Sequence, residues 1–128
     1  MCNGIGFDLC ETARMEKLLE NDRFLDRFFT EREKSYIRGK GSGRQAETAA
    51  GIFAAKEAFS KALGTGISFE LKEAEVLHDE RGMPYLHLLG SLHERTAGDS
   101  FLISISHDGG IAGAVCLRQR REDTEVKP

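Results

Sequence analysis

At 128 residues the chain is long enough for one domain with a single sizeable core. An apolar fraction of 40% beside 30% charged residues is that of an ordinary globular protein, and a net charge of −3 supplies no global basic field for nucleic acid. No apolar run reaches the length of a membrane span and the N-terminal stretch has no signal-peptide pattern, so a cytoplasmic protein without a membrane partner is expected. The three cysteines, Cys2, Cys10 and Cys116, are scattered; they form neither a disulfide framework nor a Cys-x-x-Cys clip, and reduced thiols are expected.

The first element is a strand. In "GIGFDL" (Gly4 to Leu9), Ile5, Phe7 and Leu9 share one face, and Gly4, Gly6 and Asp8 the other. Two glycines and an aspartate pack poorly in a central strand, but glycine lets a second backbone or a ligand come close. Asp8 could face such a ligand, cap the following helix or bond a turn. Thr12 is placed to cap a short helix through "ARMEKLLE", which has a helical follow-on in "NDRFLDRFF". In "TERE", Thr30 and Glu33 have the spacing of a capping box, and the helix they open should stop near Gly39. "GKGSGR" (Gly39 to Arg44) reads as a flexible loop.

A long helix is predicted over 45–63, closed by Gly64 in the position of a glycine cap. Ile52, Ala55, Phe59, Ala62 and Leu63 share its main core face at 100° per residue. Ala46, Ala50, Phe53, Glu57, Ser60 and Lys61 lie opposite, and the small apolar members of that set should be partly covered. Glu57 and Lys61 stand at i,i+4 in the favoured order. They are either an ordinary surface pair or a charged site in a mostly buried helix.

Further on, "EAEVLHDERGMPYLHLL" reads as two strands joined around Arg81-Gly82, and "SLHERTA" as a short helix. "FLISISHDGGIAGAVCL" reads as a second hairpin turning at Asp108-Gly109-Gly110, with His107 closing its first strand. A histidine at a turn is more often structural than functional. The domain is expected over 1–118, followed by a charged tail over 119–128. Helices with two late hairpins give an α+β fold: one domain with a long central helix packed on a small, mostly antiparallel sheet.

Two carboxylates, a lysine, a serine, a histidine and the pair "GTG" suit an oxygen-ligated magnesium ion and a phosphate group better than zinc. Neither G-x-x-x-x-G-K-[ST] nor G-x-G-x-x-G occurs. In order and spacing, "GIGFDL", "FAAKEAFSKALGTGI" and "SISHD" resemble the three motifs of the holo-acyl-carrier-protein synthases, the small bacterial branch of the 4′-phosphopantetheinyl transferases. The resemblance spans nearly the whole chain, and its middle motif is the specific one. It implies the 4′-phosphopantetheinyl transferase fold and transfer of the phosphopantetheine arm of coenzyme A to a serine of apo acyl carrier protein, with release of adenosine 3′,5′-bisphosphate. It implies a magnesium ion held by Asp8 and Glu57 and Lys61 stabilising the transferring phosphate; Glu57, through a metal-bound water, is one candidate for taking the serine proton, and the identity of the base stays open. It places Ser60, Lys61, Gly64, Gly66 and His107 against coenzyme A, and Arg14, Arg23 and Arg27 against the acidic carrier. It also implies a homotrimer with the site at a subunit boundary. Phe7 and "CET" (Cys10 to Thr12) depart from the usual first motif and bear on the shape of the pocket. A non-catalytic coenzyme A or nucleotide-binding module is the alternative; it would need no paired carboxylates.

Overall fold

The computed structural model describes residues 2–64 and 70–120. Strand β1 (Cys2–Glu11) runs directly into α1 (Thr12–Leu18). Helices α2 (Asp22–Phe28) and α3 (Glu31–Arg38) lead through a 3-10 turn at Ser42–Arg44 to the long α4 (Gln45–Leu63). A second 3-10 turn (Leu71–Glu73) opens a hairpin of β2 (Ala74–His78) and β3 (Pro84–Leu88). Helix α5 (Gly90–Arg95) and the hairpin of β4 (Asp99–Asp108) and β5 (Ile111–Arg120) complete the described chain. The α+β architecture expected from the sequence is present: two antiparallel sheets, β1-β5-β4 and β2-β3, surround one central helix.

Helix α4 is the hub because its side chains are small. Seven of its residues are alanines, and thirteen of its nineteen residues are buried. The two faces read from the sequence both prove largely covered; Glu57 and Phe53 are half-buried and Lys61 is exposed. Gly4 and Gly6 of β1 turn toward this helix so closely that a Cβ on either would overlap a backbone carbonyl, that of Ala62 or of Ala58. The glycine face of β1 is therefore the buried one, and what it admits is another backbone. Ile5, Phe7 and Leu9 point outward and stay exposed. Phe7 accordingly does not line the helix-facing side where Asp8 lies. Nor is β1 a central strand; it is an edge of the three-stranded sheet.

Local signals account for the element ends. Thr30 and Glu33 form the capping box, and Gly64 ends α4 with φ 75°, a conformation that glycine adopts without steric cost. The last hairpin turns at Gly109-Gly110, both at positive φ. Thr12 is not the cap of α1. Glu11 holds that position without a side-chain cap bond, and the Thr12 amide donates to the Gly110 carbonyl at 2.9 Å. The follow-on of α1 is a separate helix because the Asn21 side chain accepts from the Phe24 amide and starts α2. The glycine-rich loop contains the 3-10 turn at Ser42–Arg44, where only a loop was expected. Strand β5 runs past the expected end of the domain at 118 to Arg120. Arg118 pairs with Asp99 at 2.9 Å and donates to the Leu63 carbonyl, while the Arg120 amide donates to Asn3. The rest of the expected tail, 121–128, lies outside the described residues.

A buried ion pair joins the α3 and β2 side of the molecule to α4. Lys56 Nζ meets Glu33 Oε2 at 2.8 Å, and both side chains are 0% exposed. The ammonium also donates to the carbonyls of Leu71 and Ala74, at 3.1 and 2.8 Å. Glu33 accepts the amides of Val76 and Thr30, at 2.6 and 2.8 Å. Burial pushes the Lys56 pKa down and that of Glu33 up, and each partner's charge opposes the shift of the other. With every strong donor and acceptor matched, the pair fixes the rotation of α4 one residue before Glu57.

Candidate active site

Asp8, Glu57 and Lys61 come together where β1 crosses the C-terminal half of α4. The glycine–alanine contact makes this possible, because it brings the two backbones close enough for side chains four residues apart on the helix to reach the strand. Lys61 Nζ lies 2.9 Å from Asp8 Oδ1 and 3.1 Å from the Phe7 carbonyl. The i,i+4 surface pair that spacing allows is thus not the one formed: Lys61 bonds across to β1. Among the described residues the Glu57 side chain has no ion pair or hydrogen bond. Burial pushes the Glu57 pKa up, the Asp8 charge adds to the rise, and Lys61 and Arg14 oppose it. Asp8 is already on an ammonium while the Glu57 carboxylate beside it is unpaired among the described residues, so the two make an oxygen donor set whose negative charge is only partly compensated. That chemistry fits a hard divalent cation.

Ser60 is buried on α4 beside this cluster, and Gly64 turns the chain at the helix end, its amide on the Lys61 carbonyl at 3.1 Å. Gly66 lies outside the described residues. Arg14 is exposed on α1 and its charge reaches both Glu57 and Cys10. Arg23 and Arg27 are exposed on α2, with Arg27 over the Phe28 ring at 5.3 Å. Cys10 is buried on the helix-facing side, its thiol pushed up by that burial.

His107 is not brought to this cluster within one chain. Its Nδ1 lies 3.1 Å from Glu47 Oε2, and Glu47 precedes Glu57 by ten residues, about 15 Å along a helix. His107 instead borders a groove of about 470 Å³ on the outer face of the sheet, with Phe7, Leu9, Ser104 and Ile111. A larger hollow of about 670 Å³, between β3, α5 and the start of β4, contains none of the site residues. Its size therefore does not make it the active site. The sequence reading missed Lys56, whose signal was a lysine amid alanines directly before Glu57.

A long helix packed on an antiparallel sheet, with an Asp–Glu pair and a lysine where strand and helix cross, defines a small α+β scaffold with one charged site at that crossing. The comparisons agree: residues 4–116 match the family model described as "4'-phosphopantetheinyl transferase superfamily". The chain belongs to that superfamily, among the holo-acyl-carrier-protein synthases, which are 4′-phosphopantetheinyl transferase enzymes. It is 42% identical over 122 residues to a holo-[acyl-carrier-protein] synthase of Treponema denticola, across 91% of this chain and 98% of that protein. It is 45% identical over 121 residues to one of Clostridium botulinum strain Alaska E43, across 91% and 97%. The crystal structure of a holo-(acyl-carrier-protein) synthase from Bacillus anthracis, in complex with CoA (3′,5′-ADP), matches with a TM-score of 0.80 at 38% identity, covering 94% of this chain and 98% of that one. No helix among the described residues is long and apolar enough to cross a membrane.

Proposed function

We propose that the chain transfers the 4′-phosphopantetheine arm of coenzyme A to a serine of apo acyl carrier protein, with magnesium, in the cytoplasm. The observation that carries this reading is the convergence of Asp8, Glu57 and Lys61 at the β1–α4 crossing. The serine hydroxyl gives up its proton to a base at the site as its oxygen bonds to the β-phosphorus of coenzyme A; the bond from that phosphorus to the bridging oxygen breaks, and adenosine 3′,5′-bisphosphate leaves.

Asp8 and Glu57 would hold the magnesium ion. When bound, it would neutralise the pyrophosphate and stabilise the leaving group. Lys61 places a cation on the same side, where charge builds on the transferring phosphoryl group. Ser60, Gly64, Gly66 and His107 are proposed to contact coenzyme A, and Arg14, Arg23 and Arg27 the acidic carrier. The proposed assembly is a homotrimer. In support, the outer sheet face exposes Ile5 (64%), Phe7 and Leu9 (both 57%) and Leu102 (57%), and register sets Ile5 and Leu102 on either side of Leu117. An apolar sheet face of this kind calls for a covering partner. In the proposed trimer the site lies at a subunit boundary.

Asp8→Ala, Glu57→Ala and Glu57→Gln, incubated with apo carrier, coenzyme A and magnesium, should each lose most transfer while keeping a native circular dichroism spectrum. Near-normal turnover in all three would overturn the assignment of the two carboxylates.

A further inference from the structure

At the transferring phosphate, Lys61 would act as a cation. Its position suggests a second role. The ammonium is bonded to Asp8 Oδ1, the oxygen type a magnesium ion would take, and to the Phe7 carbonyl next to it. The Lys61 side chain is 56% exposed and that of Asp8 only 20%. The aspartate is therefore the fixed member of the pair, and the lysine has room to leave. Glu57, the other carboxylate, makes no ion pair among the described residues.

We infer that Lys61 is an internal counterion that competes with the divalent cation for Asp8, so that metal binding and release of Lys61 are a single exchange. The inference rests on the two-carboxylate metal reading above. In the metal-free protein Lys61 neutralises Asp8 and keeps the carboxylate pair from standing uncompensated. An arriving cation takes Asp8, and the ammonium is displaced on a flexible four-carbon stem. It is then free for an anion that comes in with the cation. The exchange lowers intrinsic metal affinity, because each binding event must break an ion pair, and it links the freeing of Lys61 to the presence of metal.

The test is Mn2+ affinity, read from the free-ion electron paramagnetic resonance signal at fixed ionic strength without coenzyme A or carrier. Lys61→Met should bind Mn2+ about tenfold tighter than wild type, since a partly exposed ion pair and a nearby like charge are both removed. Lys61→Arg keeps charge and reach and should stay near wild type. Arg14→Met removes a positive charge near Glu57 without breaking an ion pair to either carboxylate, and should tighten binding much less than Lys61→Met. Equal tightening in Arg14→Met and Lys61→Met, or none in Lys61→Met, overturns the exchange. In protein carrying 13C at the lysine ε-carbons, Mg2+ should move the Lys61 resonance, assigned by its loss in Lys61→Arg; an unmoved resonance at saturating Mg2+ overturns it as well. Asp8→Ala and Glu57→Ala separate the two levels of the argument. If they bind Mn2+ as wild type does, the metal reading fails. If they lose binding while Lys61→Met matches wild type, only the exchange fails.

Discussion

Replacing Lys56 with methionine should destabilise the protein severely, although the new side chain is apolar and of similar length. The substitution removes one ammonium and leaves Glu33, 0% exposed, without its counterion. The Val76 and Thr30 amides still reach the carboxylate, but the carbonyls of Leu71 and Ala74 lose the ammonium as donor. An uncompensated buried charge of this kind costs about 3–5 kcal/mol. Total stabilities run to roughly 5–15 kcal/mol, so a large share of the fold's margin is at stake. For a domain of this size the loss corresponds to a fall of about 10–20 °C in Tm. Urea denaturation followed by circular dichroism, at one fixed protein concentration, measures it. The double variant Glu33→Gln, Lys56→Met removes the stranded charge and should recover about 2 kcal/mol relative to the sum of the single losses, within the range seen for directly paired residues. A loss under about 1 kcal/mol in Lys56→Met, or single losses that simply add, would show that the pair does not hold α4 as described.

Glu57→Gln should raise Tm at pH 7 in the absence of divalent ions. Burial and the Asp8 charge make the folded protein hold the Glu57 proton more tightly than the unfolded chain, whose carboxyl titrates near 4.5. That stabilisation is complete below the unfolded value and is lost as pH rises through the folded one, so at neutral pH the ionised group is a net cost. The advantage of the glutamine should shrink toward pH 4; a lower Tm than wild type at pH 7 would contradict the reasoning. Leu102→Asp, in the middle of the exposed apolar face, should convert a trimer to monomers in sedimentation velocity. An unchanged sedimentation coefficient would place the interface elsewhere. Arg14→Glu should raise the KM for apo carrier and leave that for coenzyme A little changed; equal carrier KM values would move the docking patch off α1.

Much of this was legible in the amino-acid order because it was written in local chemistry. The Thr30–Glu33 box, the Gly64 cap, the Gly109-Gly110 turn and the alanine-rich helix each depend on residues a few positions apart. What the sequence hid depends on what packs against what. Alternation in β1 separated two faces but did not say which was inside; the glycine face is, because an alanine-rich helix can approach it and cannot approach Phe7. Thr12 has the chemistry of a cap, yet its amide was taken by a turn almost a hundred residues later. Spacing offered Lys61 to Glu57, while the fold offered it Asp8, which lies closer to hand across the crossing. Lys56 carries no local signal of its partners; its role comes from Glu33 and two carbonyls brought to it from distant elements. His107 shares a motif list with Glu57 but not, within one chain, a location.

The central claim is a phosphopantetheine transfer that depends on magnesium and the two carboxylates. Intact-mass spectrometry of an apo acyl carrier protein, after incubation with this chain and coenzyme A, tests it most directly. With magnesium present, the carrier should gain the mass of one phosphopantetheine arm on its serine and adenosine 3′,5′-bisphosphate should accumulate in equal amount. With the divalent ion chelated, or with Asp8→Ala in place of the wild type, the carrier should keep its apo mass. A carrier that stays apo with wild-type protein and magnesium, or one modified equally well under chelation, would contradict the account.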